Sequence, residues 1–262
     1  MLGPGNRVGH LRVYRGNLMT DTTPANSPAE ASPKGLVSRI FGVLFSPRAT
    51  YANVAAFPRW FGALAVTCVV LGGGYYTLLS TDTGKQAALD QQTQMLESFG
   101  VKLNDQAYDR LEAGIDRARY TTPIAQVIGV PLVMAIIAGI LLGIFNALLG
   151  GDARFKQVYA ILAHTTVFTA LQTLFAIPLD FVRQSLSSPT TLLAVLPFID
   201  EASFAGRLLG TIDLFQIWST ISLAIGLGVL YKRRTAPIAA GLFTVYFVIL
   251  IAVAAIRTAL SS

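Results

Sequence analysis

The sequence predicts an all-α, polytopic integral membrane protein: a bundle of five transmembrane helices with an N-terminal amphipathic interfacial helix. Three observations predict this fold class. Charged residues make up only 13% of the 262 residues, whereas soluble domains contain about 25%. Five stretches that are long enough to cross a bilayer carry no charge. Basic residues cluster in the short connections between these stretches.

The transmembrane helices are predicted where an uncharged stretch approaches 20 residues, about the length of helix that crosses the hydrocarbon. The fourth stretch is marginal unless Leu208 to Asp213 extends it. The uncharged segment 184–199 is broken by prolines and is therefore predicted to be interfacial or re-entrant. The predicted transmembrane helices cover residues 61–79, 124–148, 157–179, 211–230 and 236–256.

The residues before the first span divide into a tail and two short helices. Residues 1–34 are predicted to be disordered, and Met19 is an alternative start that would leave 1–18 untranslated. Apolar residues at helical spacing predict an interfacial helix at 36–45, and Ser46-Pro47 begins a second helix at 47–56. The predicted contacts with the membrane surface are Arg39, Phe41, Phe45, Arg48 and Trp60.

The membrane domain, residues 35–257, has one sizeable polar connection at 80–123, in which a helix is predicted from Asp105 to about Arg119. The short connections at 149–156 and 231–235 are basic, and such connections face the cytoplasm. With five spans, the N-terminus is then cytoplasmic, the C-terminus lies outside, and the polar connection 80–123 is an outer loop.

The second transmembrane helix contains a ladder of small residues with a spacing of four. Small side chains let helix backbones approach closely in membranes. The face can be a dimer interface, or it can pack inside the monomer, which the need to pack five helices favours. This candidate helix-packing face consists of Ala135, Gly139, Gly143 and Ala147.

Polar residues follow one side of the third and fourth transmembrane helices. They must face protein or water, because an unpaired polar group in lipid is costly. A hydrogen-bonded seam is favoured over a solvated path, while Asp213 can be a functional acid or a helix cap. The candidate seam consists of His164, Thr169, Gln172, Asp213, Gln216 and Thr220.

Several functional classes find no support in the sequence. One cysteine and two histidines provide no set of metal ligands, and no cofactor is expected. No Ser/His/Asp or Ser/Lys arrangement has a motif context, so the chain is predicted not to be an enzyme. The net charge of +6 comes with basic residues that flank apolar runs, which favours anionic lipid headgroups over nucleic acid as the partner.

Four segments resemble a known family. They are Arg39 to Tyr51, Pro58 to Trp60, Gly150 to Gln157, and Asp213 to Trp218. In this order and spacing they are similar to prokaryotic members of the Ypt-interacting-protein (YIP) domain family, over about 36–256. The resemblance implies five membrane helices, a cytoplasmic N-terminus and a bacterial inner membrane.

Eukaryotic members of that family bind Rab-type GTPases in traffic between the endoplasmic reticulum and the Golgi. Rab binding is not expected here, because the long N-terminal cytosolic region and the tyrosine-containing motif of those members have no counterpart. The sequence therefore predicts a non-enzymatic membrane scaffold or adaptor that binds another membrane protein or a second copy. The alternative is a transporter or channel that uses the polar faces of the third and fourth transmembrane helices.

Overall fold

The computed structural model describes residues 32–196, 198–200 and 203–260, so the predictions for the tail and for Met19 lie almost entirely outside the described residues. The described part is helical. Its helices are α1 Leu36–Phe45, α2 Pro47–Ala56, α3 Phe61–Leu79, α4 Asp82–Ser98, α5 Asp105–Leu142, α6 Phe155–Arg183, α7 Leu192–Val195, α8 Phe204–Leu209, α9 Leu214–Leu230 and α10 Thr235–Leu260.

Four of the described helices are long and apolar enough to cross a membrane. They are α3, α5 with its π-helical continuation Gly143–Leu148, α6, and the Thr235–Ile256 part of α10. Helix α9 is apolar but has 17 residues, which gives a length of about 26 Å against a hydrocarbon core of about 30 Å. Four of the five predicted spans therefore have the required length, and the remaining span, α9, stays a prediction.

Helices α3 and α6 form the centre of the bundle. Helix α6 contacts α1, α2, α3, α5 and α9, whereas α10 packs mainly on α9. The main apolar core joins α3, α5, α6 and α9 with the start of α10. Its buried members include Leu64, Cys68, Ala138, Phe145, Leu162, Ala163, Ala224, Leu227 and Ile238.

The α1–α2 hairpin packs on the bundle through α2. Tyr51 is fully buried, and its hydroxyl forms a 2.7 Å hydrogen bond with Oγ of Ser222 on α9. Burial raises the pKa of Tyr51 well above its usual range, because water cannot solvate the phenolate. A Cβ at Gly226 would lie 2.6 Å from Ile161 and 3.2 Å from the Tyr51 ring, so glycine permits this close approach.

Helix α5 differs from the prediction, which placed a transmembrane helix at 124–148 after a separate short helix. The structure contains one helix from Asp105 to Leu142 with Pro123 and Pro131 inside it. A proline removes one backbone donor and kinks a helix, but it need not end a helix when neighbouring groups satisfy the freed carbonyl.

The polar connection 80–123 also contains a helix that the sequence analysis missed. Thr81 caps α4, since its hydroxyl accepts a 3.0 Å hydrogen bond from the amide of Gly84. Ala88 and Leu89 of α4 pack against Leu79 and Ile115. The apolar stripe of α4 is narrow, which explains why periodicity did not reveal the helix.

The segment 184–199 is joined to the start of α9 by backbone hydrogen bonds that the sequence did not predict. Helix α6 continues to Arg183, and the short helix α7 follows. Thr191 pairs with Asp213 in an isolated antiparallel bridge, in which Leu192 N donates to Ile212 O at 2.9 Å. Helix α9 begins at Leu214 instead of the predicted residue 211, because Asp213 is its N-cap.

Candidate functional site

Asp213 is the hub of a polar cluster at the start of α9. Its Oδ1 accepts hydrogen bonds from the backbone amides of Phe215 at 2.8 Å and Gln216 at 3.2 Å. Such bonds satisfy amides at a helix N-terminus that have no partner in the helix itself. Asp213 therefore caps helix α9, which is one of the two roles that the sequence left open for it.

The other carboxylate oxygen joins α9 to α6 and to the connection after α6. Oδ2 of Asp213 accepts hydrogen bonds from Nε2 of Gln172 at 2.7 Å, from Oγ of Ser188 at 3.2 Å, and from the hydroxyl of Thr190. Gln172 also donates to Thr190 Oγ1 at 3.2 Å. The expected contact between Gln172 and Asp213 is thus present. Ser188 and Thr190, which the sequence analysis did not single out, also bond to Asp213.

Two other residues of the predicted seam, His164 and Thr220, form side-chain hydrogen bonds within their own helices. Nδ1 of His164 donates to the Ala160 carbonyl at 2.7 Å, and its other ring nitrogen has no hydrogen-bond partner among the described residues. The hydroxyl of Thr220 donates to the Gln216 carbonyl at 2.8 Å, and the Gln216 side chain is exposed. A continuous seam along both helices is therefore absent from the described residues.

Helices α3, α4, α5 and α6 and the connection after α6 line a half-open cavity of about 460 Å³, in which polar and apolar side chains are mixed. Thr169 and Gln172 of the predicted seam line it. So do Tyr75, Asp180 and Ser188, which the sequence analysis missed. Asp180 follows the predicted end of the third transmembrane helix by one residue, so only the observed extension of α6 places it in the bundle.

A hydrogen-bonded pair of hydroxyls lies at one end of the cavity. Oγ1 of Thr67 on α3 and Oγ1 of Thr166 on α6 are 2.9 Å apart, and both side chains are buried. Each hydroxyl also bonds to a carbonyl of its own helix, that of Ala63 or Ala163. These threonines are satisfied within the protein, whereas Thr169 is exposed on the cavity wall.

The small-residue face of α5 does not pack inside the chain as expected. Gly139, Gly143 and Ala147 are exposed, and a Cβ added at either glycine would meet nothing within 4 Å. Only Ala135 packs against the core. The reason is that α5 buries a different face, whose members are Ala138, Leu141 and Phe145.

The predicted membrane-surface residues divide into three kinds. Phe41 and Phe45 are 57% and 77% exposed, and Arg48 is also exposed. Trp60 is half-buried and packs edge-on against the Tyr159 ring at 5.2 Å. Arg39 is buried and differs from the prediction.

Arg39 is a buried residue and not a contact with the membrane surface. It is 5% exposed, and its guanidinium donates a 2.7 Å hydrogen bond to the carbonyl of Arg59. Burial lowers the pKa of Arg39, and the charge of Arg59 adds to this effect. The prediction was wrong because Arg39 lies on the face of α1 that also buries Val43.

Comparison with known proteins agrees with the four-segment resemblance. No three His, Cys, Asp or Glu side chains among the described residues are placed to hold a metal ion. No curated protein and no solved structure matches the chain. The model of the Yip1 domain family matches residues 41–256, which include α2 to α9, the second half of α1 and most of α10. With its long apolar helices and this match over most of its length, the chain belongs to the Yip1 domain family of membrane proteins.

Proposed function

We propose that this chain is a non-enzymatic membrane scaffold that binds a second copy of itself through the exposed small-residue face of α5. The observation that carries the proposal is the open space beside Gly139 and Gly143, where an added Cβ would meet no atom within 4 Å. Ala147 continues this face and is also exposed.

Membrane physics gives this face a specific use. Lipid tails are as apolar as leucine, so membrane helices associate through close backbone packing, which small residues spaced by four allow. A two-fold contact places the same face of both copies together. The exposed isoleucines that flank the ladder, Ile136, Ile140 and Ile144, would then pack around the glycines.

The scaffold is proposed to span a bacterial inner membrane five times, with α9 as the fourth span. The basic connections that contain Arg154 and Arg233 would face the cytoplasm, together with the N-terminus. Helix α1 would lie in the inner interface, where the exposed rings of Phe41 and Phe45 would insert beside the headgroups. Arg48 would contact anionic lipid.

The experiment measures self-association of the full chain in liposomes by single-molecule photobleaching. The double substitution Gly139→Ile and Gly143→Ile places branched side chains on the face and is expected to raise the dissociation constant by at least about tenfold. Gly73→Ile on α3 is the matched control, because Gly73 is equally open but lies outside the α5 face. It should leave the dissociation constant unchanged.

The outcomes distinguish a self-associating scaffold, an adaptor for another membrane protein, and a chain that is neither. Loss of self-association in the double variant alone supports the proposal. A monomeric chain that retains a specific co-purifying membrane protein, which the double variant loses, would assign the face to an adaptor instead. A monomer whose co-purifying proteins are the same in all three forms contradicts the scaffold.

A transporter or channel is the second candidate, because Thr169 and Gln172 line a half-open cavity beside α6. A solvated path along both polar helices requires water at Thr220 as well, yet Thr220 is 7% exposed and bonded within α9. In a Cys68→Ala background, a cysteine at Thr169 is expected to react with a polar thiol reagent, and one at Thr220 to stay inert. Reaction at both positions would favour the transporter.

A further inference from the structure

Asp180 is a buried carboxylate without a full set of partners. It is 7% exposed, and its Oδ1 is inaccessible and accepts no hydrogen bond from the described residues. The same residue lines the cavity of about 460 Å³ between α3, α4, α5 and α6. A buried carboxylate without a partner is costly, so its retention in the bundle needs an explanation.

No basic side chain lines the cavity beside this carboxylate, although the charge of the exposed Arg183 acts on it from outside the lining. Asp180 is the one ionised group expected among the lining residues at neutral pH, since no lysine or arginine lines the cavity. The nearest arginine along α6, Arg183, is exposed, and its guanidinium donates to the Ser187 carbonyl at 3.2 Å. The cavity therefore carries one negative charge that a bound cation could neutralise.

The other lining groups suit an organic cation that also carries hydroxyls. Tyr75 provides an aromatic ring on the α3 wall, and aromatic faces attract ammonium groups. The side chains of Thr169, Gln172 and Ser188 supply hydroxyl and amide groups. The volume lies in the range of about 300–1,000 Å³ that is typical of small-molecule sites.

We propose that this cavity binds a small hydroxylated organic cation, with the ammonium group paired to Asp180 beside Tyr75 and the hydroxyls bonded to the threonine and glutamine side chains. The inference does not depend on the scaffold proposal, because the cavity lies between α3, α4, α5 and α6 and the scaffold face is the opposite, exposed side of α5.

The test measures the charge preference of the cavity with thiol reagents. Ala176 lines the cavity one helical turn before Asp180, so Ala176→Cys in a Cys68→Ala background places one thiol near the carboxylate. The purified full chain reacts with a trimethylammonium and with a sulfonate methanethiosulfonate at low ionic strength. Each rate is divided by the rate of the same reagent with free cysteine.

The normalised rate is expected to favour the cationic reagent by at least about tenfold, as attraction by one nearby charge at an intermediate dielectric implies. Asp180→Asn should abolish this preference, and Asp180→Glu should keep it. Asp152→Asn, which removes an exposed carboxylate in the α5–α6 connection, is the matched control and should change nothing. An unchanged rate with neutral methyl methanethiosulfonate shows that the cavity of each variant is intact.

Protection from the reagent tests binding itself. Saturating 2-amino-1,3-propanediol, which carries an ammonium between two hydroxyls, should slow modification of Ala176→Cys, and glycerol at the same concentration should not. Three results would each overturn the proposal: no charge preference, a preference that survives Asp180→Asn, or equal effects of the amine and glycerol. A thiol that reacts with none of the reagents would also overturn it, since the cavity would then be closed.

Discussion

Helices α5 and α6 are both long enough to cross a membrane, yet they lie in opposite environments. In the most apolar part of α5, 11% of the residues are buried inside the protein, against 61% in α6. Helix α5 is nevertheless the more apolar of the two. The difference follows from the solvent: lipid surrounds the most apolar surface of a membrane protein, and the groups that lipid cannot satisfy are placed inside.

The other two long helices follow the same order. Helix α10 is nearly as apolar as α5 and equally little buried, whereas α3 resembles α6 in both respects. The interior of α6 contains His164, Thr165 and Thr166, each buried and hydrogen-bonded to a carbonyl of α6. Polar residues within a long uncharged helix are therefore a better guide to the centre of this bundle than apolarity is.

The largest expected difference in stability is between truncating a ring in the α6 core and truncating a side chain on the α5 surface. Phe168 is fully buried, with its ring 4.9 Å from that of Trp218. Phe168→Ala should lower the free energy of unfolding by about 3–5 kcal/mol, because it leaves a cavity. Val133→Ala, at a residue 50% exposed on α5 and outside the small-residue face, should cost less than about 0.5 kcal/mol. Titration with dodecyl sulfate in mixed micelles measures both values, and equal costs would break the contrast.

Substitution of two glycines, one buried and one exposed, tests the same comparison with a smaller expected change in the free energy of unfolding. Gly226→Ala adds a methyl group 2.6 Å from Ile161 and should lower the free energy of unfolding by about 1–3 kcal/mol. Gly139→Ala adds the same group to open space and should be neutral or slightly stabilising, because alanine favours helix over glycine. The same titration measures both, and a destabilised Gly139→Ala monomer would mean that α5 packs on this side after all.

The smallest expected effect tests the polar contact between α6 and α9. Gln172→Leu removes the donor to Asp213 and Thr190 and should cost about 1 kcal/mol. Gln216→Leu replaces an exposed glutamine on α9 and is the matched control, with an expected change within about 0.5 kcal/mol. Thermal unfolding in detergent can rank the two variants. A larger loss for Gln216→Leu would show that the polar contact does not stabilise the bundle.

The sequence predicted the features that depend on local composition. The α3, α6 and α10 spans follow from uncharged length, and the Gln172–Asp213 contact follows from polar side chains on neighbouring antiparallel helices. The continuous helix α5 was missed because Pro123 resembles a helix end when its surroundings are unknown. Asp180 was missed because it lies just beyond the uncharged stretch, and the burial of Arg39 depends on the Arg59 carbonyl, which only the fold brings near.

The direct test of the account labels the protein from the lipid phase. The full chain in liposomes is photolysed with a lipid-soluble aryl diazirine, digested, and mapped by mass spectrometry. The exposed apolar residues of α5 and α10 that lie outside the small-residue face, such as Val133 and Val248, should carry most of the label, while Val158 to Phe168 of α6 should carry almost none. Strong labelling of that α6 segment, with α5 protected in a monomeric sample, would contradict the arrangement.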